Sequence, residues 1–180
     1  MDVITIGDAM IAMCPEAKGP IIFCDTFKRK VGGAELNVAM GCARLGIKSG
    51  WISRLGNDDF GKYIIKTARG EGIDTSEVQL VDGYPTSVYF REVLADGSSR
   101  SFYYREKSPT STMKCEDLNE NYFKEAKALH ITGVFPSFFI FLRSDQPSFP
   151  GIITSNIIRS KLSSSIASSP FIPSCTTVTS

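Results

Sequence analysis

Gly32-Gly33-Ala34-Glu35-Leu36-Asn37-Val38-Ala39 is the turn around which the rest of the chain is organised. A basic strand, Phe27 to Val31, runs into it, and a helix runs out of it, with Leu36, Ala39, Met40 and Ala43 sharing one face at spacings of three and four. That helix stops at Leu45-Gly46, glycine being the residue that most readily takes a left-handed stop. A helix entrance holds amides without intrahelical partners and the positive end of the helix dipole. Two glycines before it leave the backbone bare. The turn therefore reads either as a loop that admits a ligand or as a tight strand-to-helix joint with close packing.

Upstream, Val3-Ile4-Thr5-Ile6 is a short apolar, β-branched run, the pattern of a strand buried on both faces of a parallel sheet. It ends in Gly7-Asp8, which puts Asp8 at a carboxyl strand end, where open α/β sheets bind ligands; a cap or turn role accounts for it equally. After Pro15 and the Gly19-Pro20 turn, Ile21 to Val31 has β character and predicts an excursion from the main sheet, a flap over residues 15–31.

Downstream, Ile47 to Arg54 predicts the second strand, and Phe60, Tyr63, Ile64, Thr67 and Ala68 a helix ending near Gly70 and Gly72. The β-α-β-α order implies a doubly wound sheet. Between them, Gly56 to Tyr63 has the spacing of a phosphate-binding loop, but Tyr63 stands where a hydroxyl should hold magnesium, and Asp58 and Asp59 would repel phosphate. A helix cap is the economical role for either aspartate. Thr86 to Leu94 and Arg100 to Glu106 form a hairpin through Ala95-Asp96-Gly97-Ser98-Ser99, one arm carrying Tyr89 and Arg91 and the other Phe102, Tyr103, Tyr104 and Arg105. Such a hairpin has too little core of its own to be a domain, and it reads either as a cover over something else or as an ordinary half-buried hairpin with tyrosines on its wet face. Cys115 to Ala126 predicts a further amphipathic helix, and Leu129 to Gly133 a further buried strand in which His130, the single histidine, reads as a hydrogen-bonded structural residue.

The 20 basic and 19 acidic residues nearly balance, which gives no electrostatic case for nucleic acid or an anionic membrane as partner; a small ligand is the better default. Met1-Asp2 leads straight into a strand without the flanks of a secretory signal, and no apolar run approaches the ~20 residues of a membrane span. Cys14, Cys24, Cys42, Cys115 and Cys175 are an odd set without a C-x-x-C pair, so reduced thiols in a cytoplasmic protein are expected, with neither a metal site nor disulfides.

Gly7-Asp8, Gly32-Gly33 with Asn37, Ala43-Arg44-Leu45-Gly46, Gly56-x-Asp58-x-Phe60-Gly61, the Tyr89 arm, Tyr103-Tyr104-Arg105 and His130-Ile131-Thr132-Gly133 occur in the order found in the N-terminal half of ribokinase/PfkB-family sugar kinases. Over residues 1–137 the chain resembles that family, and within it the 2-keto-3-deoxygluconate kinases. The resemblance implies a ribokinase-like three-layer α/β/α, Rossmann-like domain with a β-sheet lid, and transfer of the ATP γ-phosphoryl group to a hydroxyl of a sugar or sugar acid. It implies that Gly32, Gly33, Ala34 and Asn37 meet the substrate, that Asp8 touches a sugar hydroxyl, and that Tyr89, Tyr103, Tyr104 and Arg105 close over it, Arg105 pairing with a carboxylate. Glu35 departs from the small residue common in the wider family, in keeping with the ketodeoxygluconate kinases. Lid strands around 15–31 and 86–106, and a homodimer through them, follow from the same likeness.

The family's glycine-rich loop, catalytic aspartate and most of its ATP site belong to a C-terminal half that this sequence does not match. Residues 138–180 hold eleven serines and only four charged residues, Arg143, Asp145, Arg159 and Lys161, against 35 in the first 137. That break predicts an α/β domain incomplete at its C-terminus, followed by a Ser-rich tail that is disordered or belongs to a truncated or misread chain, a genuine C-terminal extension being the alternative. ATP and Mg are expected for the complete enzyme, while the chain alone is expected to be inactive and to carry no catalytic residue. Two other functions remain open: a non-catalytic sugar-binding or kinase-interacting protein, and a fructokinase-type enzyme.

Overall fold

The computed structural model describes residues 1–124, 126–132 and 152–155. The main sheet is parallel throughout, in the order β5 (Val78–Val81), β4 (Ser49–Gly56), β1 (Val3–Ile6), β8 (Ala128–Thr132), β9 (Ile152–Ser155). Strand β1 lies at its centre with Val3 beside Ser49 on one side and Ala128 on the other. Strand β9 lies within the stretch that composition sets apart, with Ile152 beside Leu129.

Apolar residues of the central strands face both ways, so the sheet is covered on both sides. Trp51 and Leu55 of β4 pack with Leu36 and Ala39 of α1 (Ala34–Arg44) and with Ile64 and Ala68 of α2 (Asp59–Gly70). Ile4, Ile6, Ile52, Leu129 and Ile131 point to the other side, onto Phe123 of α3 (Glu120–Lys124) and Ala126. This is the expected three-layer α/β/α arrangement. The indole N–H of Trp51 donates to the Gly7 carbonyl at 3.2 Å, which ties the core to the end of β1.

A second sheet stands off the first, in the order β3 (Phe27–Gly32), β2 (Met10–Pro15), β6 (Val88–Val93), β7 (Ser99–Tyr104). It contains the expected hairpin, β6 and β7, and it corrects the expected flap. The stretch Ile21–Phe23 is a single 3₁₀ turn, and the partner strand of β3 is residues 10–15, upstream of the range assigned to the lid. Met10-Ile11-Ala12-Met13-Cys14 carries no alternation to mark it as a half-exposed strand, because Ile11 is buried against the core while Ala12 is covered on the other face.

The second strand of the main sheet begins two residues later than the pattern suggests, since Ile47 N–H is still engaged with Cys42 O at the helix stop. The helix expected over Cys115–Ala126 is broken. Asn121 N–H donates to Asn119 Oδ1, so an amide side chain takes a backbone donor that a continuous helix would use, and the described residues form a 3₁₀ turn at Cys115–Asp117 and an α-helix at Glu120–Lys124. Gly46, at φ 79°, supplies the left-handed stop of α1.

Candidate functional site

The site is built where the two sheets meet. Gly33 is the N-cap of α1 and has no side chain to cap it. A Cβ on Gly33 would lie 2.8 Å from the Asp8 carbonyl and 3.2 Å from Ala9, and one on Gly32 would lie 3.0 Å from Cε1 and 3.1 Å from the hydroxyl of Tyr89. Each glycine admits one neighbour: the end of β1 closes on Gly33, and the lid tyrosine closes on Gly32. Close packing accounts for both. Ala34 is half-buried beside them, and Asn37, whose N–H is bonded to Gly33 O, keeps its side chain exposed.

Asp8 is buried, with 5% of its surface exposed. Its Oδ1 accepts from the Thr110 hydroxyl at 3.0 Å, and its Oδ2 accepts no hydrogen bond but faces the Arg105 Nη2 at 3.3 Å. Burial pushes the Asp8 carboxyl above the usual carboxylate value; Arg105, Thr110 and Ser108 oppose that push, and the negative charge of Glu35 adds to it. The Arg54 carbonyl lies 2.8 Å from the same Thr110 hydroxyl and shares its one proton with Asp8, and Arg54 in turn pairs with Asp117 at 2.7 Å, so the turn Pro109–Thr112 is clamped under the carboxylate. Sequence reasoning missed Thr110. The available signal was Ser108-Pro109, proline fitting the first position of a helical turn.

Glu35, 1% exposed, accepts from the Thr132 hydroxyl and lies over Gly7, where a Cβ would meet its carboxyl carbon at 2.2 Å. A charged residue one step inside a helix therefore joins α1, β1 and β8 directly behind Asp8.

Strand register sorts the lid residues. Tyr89 stands opposite Tyr103, stacked at 5.4 Å with 30° between the rings, and beside Ala12, which in turn stands opposite Lys30. Directly opposed residues share a face, and residues two apart return to it. Lys28, Lys30, Tyr89, Arg91 and Tyr103 therefore share the face that meets Gly32. Tyr104 does not: it lies on the other face, edge-on to Phe90 at 5.8 Å. Its place in the expected substrate set is corrected by strand alternation. Glu92, the only acidic residue of the four lid strands, is on that other face as well, bound to Arg100 and to Ile21 N–H. Arg105, at the end of β7, is engaged with Asp8 and links lid to core. Burial raises the Tyr89 phenol above its ordinary value, so it stays protonated as a hydroxyl donor.

The aspartate at the rejected phosphate loop is a cap: Asp58 accepts from Gly61 N–H at 2.8 Å, and from both the N–H and hydroxyl of Thr86 at 2.8 Å. Burial opposes ionisation of Asp58, but these hydrogen bonds together hold its carboxyl below the usual value.

Residues 1–142 match the model of the pfkB family carbohydrate kinases. The chain is 36% identical over 138 residues to a 2-dehydro-3-deoxygluconokinase from Bacillus subtilis, covering 76% of this chain and 43% of that protein. It is 33% identical to a 5-dehydro-2-deoxygluconokinase from Clostridium beijerinckii, covering 74% and 40%. A solved sugar kinase from Pyrococcus horikoshii in complex with ATP superposes with a TM-score of 0.71 at 29% identity, covering 78% of this chain and 47% of that one. The chain thus spans less than half the length of the curated relatives it matches.

Proposed function

This chain belongs to the pfkB family of carbohydrate kinases, and from that premise we propose that it forms the sugar-binding side of a kinase for a keto-deoxy sugar acid such as 2-dehydro-3-deoxygluconate. The observation that supports an acidic substrate is the inner face of the lid. It carries Lys28, Lys30 and Arg91, is followed by Arg105, and bears no acidic side chain. Two curated relatives act, by name, on dehydro-deoxygluconates, which are carboxylates. In this reading Gly32, Gly33, Ala34 and Asn37 lie under the sugar, Asp8 holds a hydroxyl, and Tyr89 and Tyr103 cover it. Arg105, with donors beyond the one turned to Asp8, receives the carboxylate.

The phosphoryl donor in this reading is ATP with Mg²⁺, as in the Pyrococcus complex for its nucleotide. The described residues do not fit that group: in the one loop with phosphate-binding spacing, the Asp58 carboxylate already occupies the Gly61 and Thr86 amides. We therefore assign the described residues substrate binding without phosphoryl transfer, and place any homodimer contact at β7, whose one partner strand among the described residues is β6.

Titration calorimetry with 2-dehydro-3-deoxygluconate tests this. Binding is expected, with no ADP formed when ATP and Mg²⁺ are added, and Arg105→Ala is expected to weaken binding about tenfold or more through loss of a charge-assisted contact. Equal binding of fructose, indifferent to Arg105→Ala, would move the assignment to neutral sugars.

A further inference from the structure

We infer that binding of a sugar acid at this site is coupled to uptake of one proton by Asp8, so that the carboxylate is a switchable contact, changing from acceptor to donor as the acid arrives. The inference rests on the function proposed above and deepens it. Asp8 is buried, and among the described residues a single cation pairs with it. That cation is Arg105, from the end of β7. From α1 it faces Glu35, an acid, and from the turn after β7 it meets only the neutral Ser108 and Thr110. Thr110 lies at Oδ1, whereas among the described residues Oδ2 accepts no hydrogen bond and has Arg105 as its ionic partner.

A substrate carboxylate received by Arg105 puts two anions on one guanidinium, with a third, Glu35, behind them. Covering the site also withdraws water, which strengthens every repulsion there. The arrangement relaxes if one anion is neutralised, and Asp8 is the candidate because burial already opposes its charge. A proton from solvent on Oδ2 supplies an O–H where the apo site has an unserved acceptor. Asp8 can then donate to the substrate or keep contact with it without competing for Arg105.

The test is calorimetry of the full chain in buffers of different ionisation enthalpy, between about pH 5 and pH 7, above the ordinary carboxylate range. With 2-dehydro-3-deoxygluconate, net proton uptake is expected, and affinity is expected to fall with rising pH by up to about tenfold per unit. Asp8→Asn should abolish the uptake and flatten the profile. Should that variant fail to fold, Glu35→Gln serves instead: it keeps an acceptor for Thr132, removes one anion, and is expected to move the profile to lower pH. Fructose, which lacks a carboxylate, should bind weakly and without uptake. Tight binding of the acid with no uptake, or uptake that survives Asp8→Asn or is unmoved in Glu35→Gln, overturns the coupling while leaving the substrate assignment standing. Absence of binding by either ligand overturns both.

Discussion

Buried Glu35 makes two residues of the N-terminal half interdependent. Its carboxyl fills the space a Cβ would need at Gly7, so Gly7→Ala forces the side chain aside and strains its contact with Thr132. Gly7→Ala is expected to cost about 1–3 kcal/mol, the usual range for overpacking, in denaturant unfolding. In the double variant with Glu35→Ala the loss should be smaller than the sum of the two, because the clash is gone; additive losses would mean that the two residues do not press on each other. At this scale the sequence was partly legible. Gly7-Asp8 and Gly32-Gly33 stand out as motifs, but nothing local tells that Glu35 reaches back across the first strand or that Thr110, 102 positions downstream, completes the environment of Asp8. Contacts of that range follow from the fold and from no pattern within a window. Tyr104 shows the converse: grouped with Tyr103 and Arg105 by adjacency, it is separated from them by the two-residue alternation of its strand.

The entrance of α2 depends on Asp58, which caps the helix and binds Thr86 at the foot of β6, so one carboxylate fixes both a helix and the base of the lid. Asp58→Ala is expected to lower stability at neutral pH by about 1–2 kcal/mol, as for loss of other caps. The sign of its pH dependence follows from the depressed carboxyl. Its contribution is complete above the ordinary value of 3.8 and is lost as pH falls through the lower folded value. Thermal melts of wild type and Asp58→Ala should therefore converge in strong acid; a difference that persists unchanged there would assign the effect to shape rather than charge. Elements with strong periodicity were the legible ones: β1, α1, α2, β8 and the β6–β7 hairpin all stand near where the pattern puts them. Strands β2 and β5 were not read, since one is apolar on both faces and the other, Val-Gln-Leu-Val, has no buried residue to give it a strand's pattern. The helix at 115–126 was overread because its apolar spacing is real while its polar residues cap one another.

Across the whole molecule, the lid face that carries Phe90 leaves Phe102 and Tyr104 exposed at the β7 edge, and the turn before β3 leaves Ile22 and Phe23 about four-fifths exposed. Exposed aromatics beside an open strand edge favour association. The proposed dimer predicts a sedimentation mass twice that of the chain at micromolar concentration, and Phe102→Lys should return it to a monomer; a wild-type monomer would remove the proposal. The layer order and the existence of a lid were legible from β-α-β-α succession and one hairpin. The lid's true composition was not, because its strands come from residues 10–15, 27–32 and 88–104, with α1, β4, α2 and β5 threaded between the second and the third. All four of those strands leave the lid at one row, Met10, Gly32, Ser87 and Arg105, marked by Met10 opposite Gly32, Ile11 N–H on Ser87 O, and Val88 opposite Tyr104. Four attachments in line define a single axis, the line of a door's hinge. Asp8 and Arg105 sit by that line, whereas Tyr103 and Arg91 stand farther out along the strands, so a ligand spanning the site has one end at the hinge line and the other under the open edge of the door.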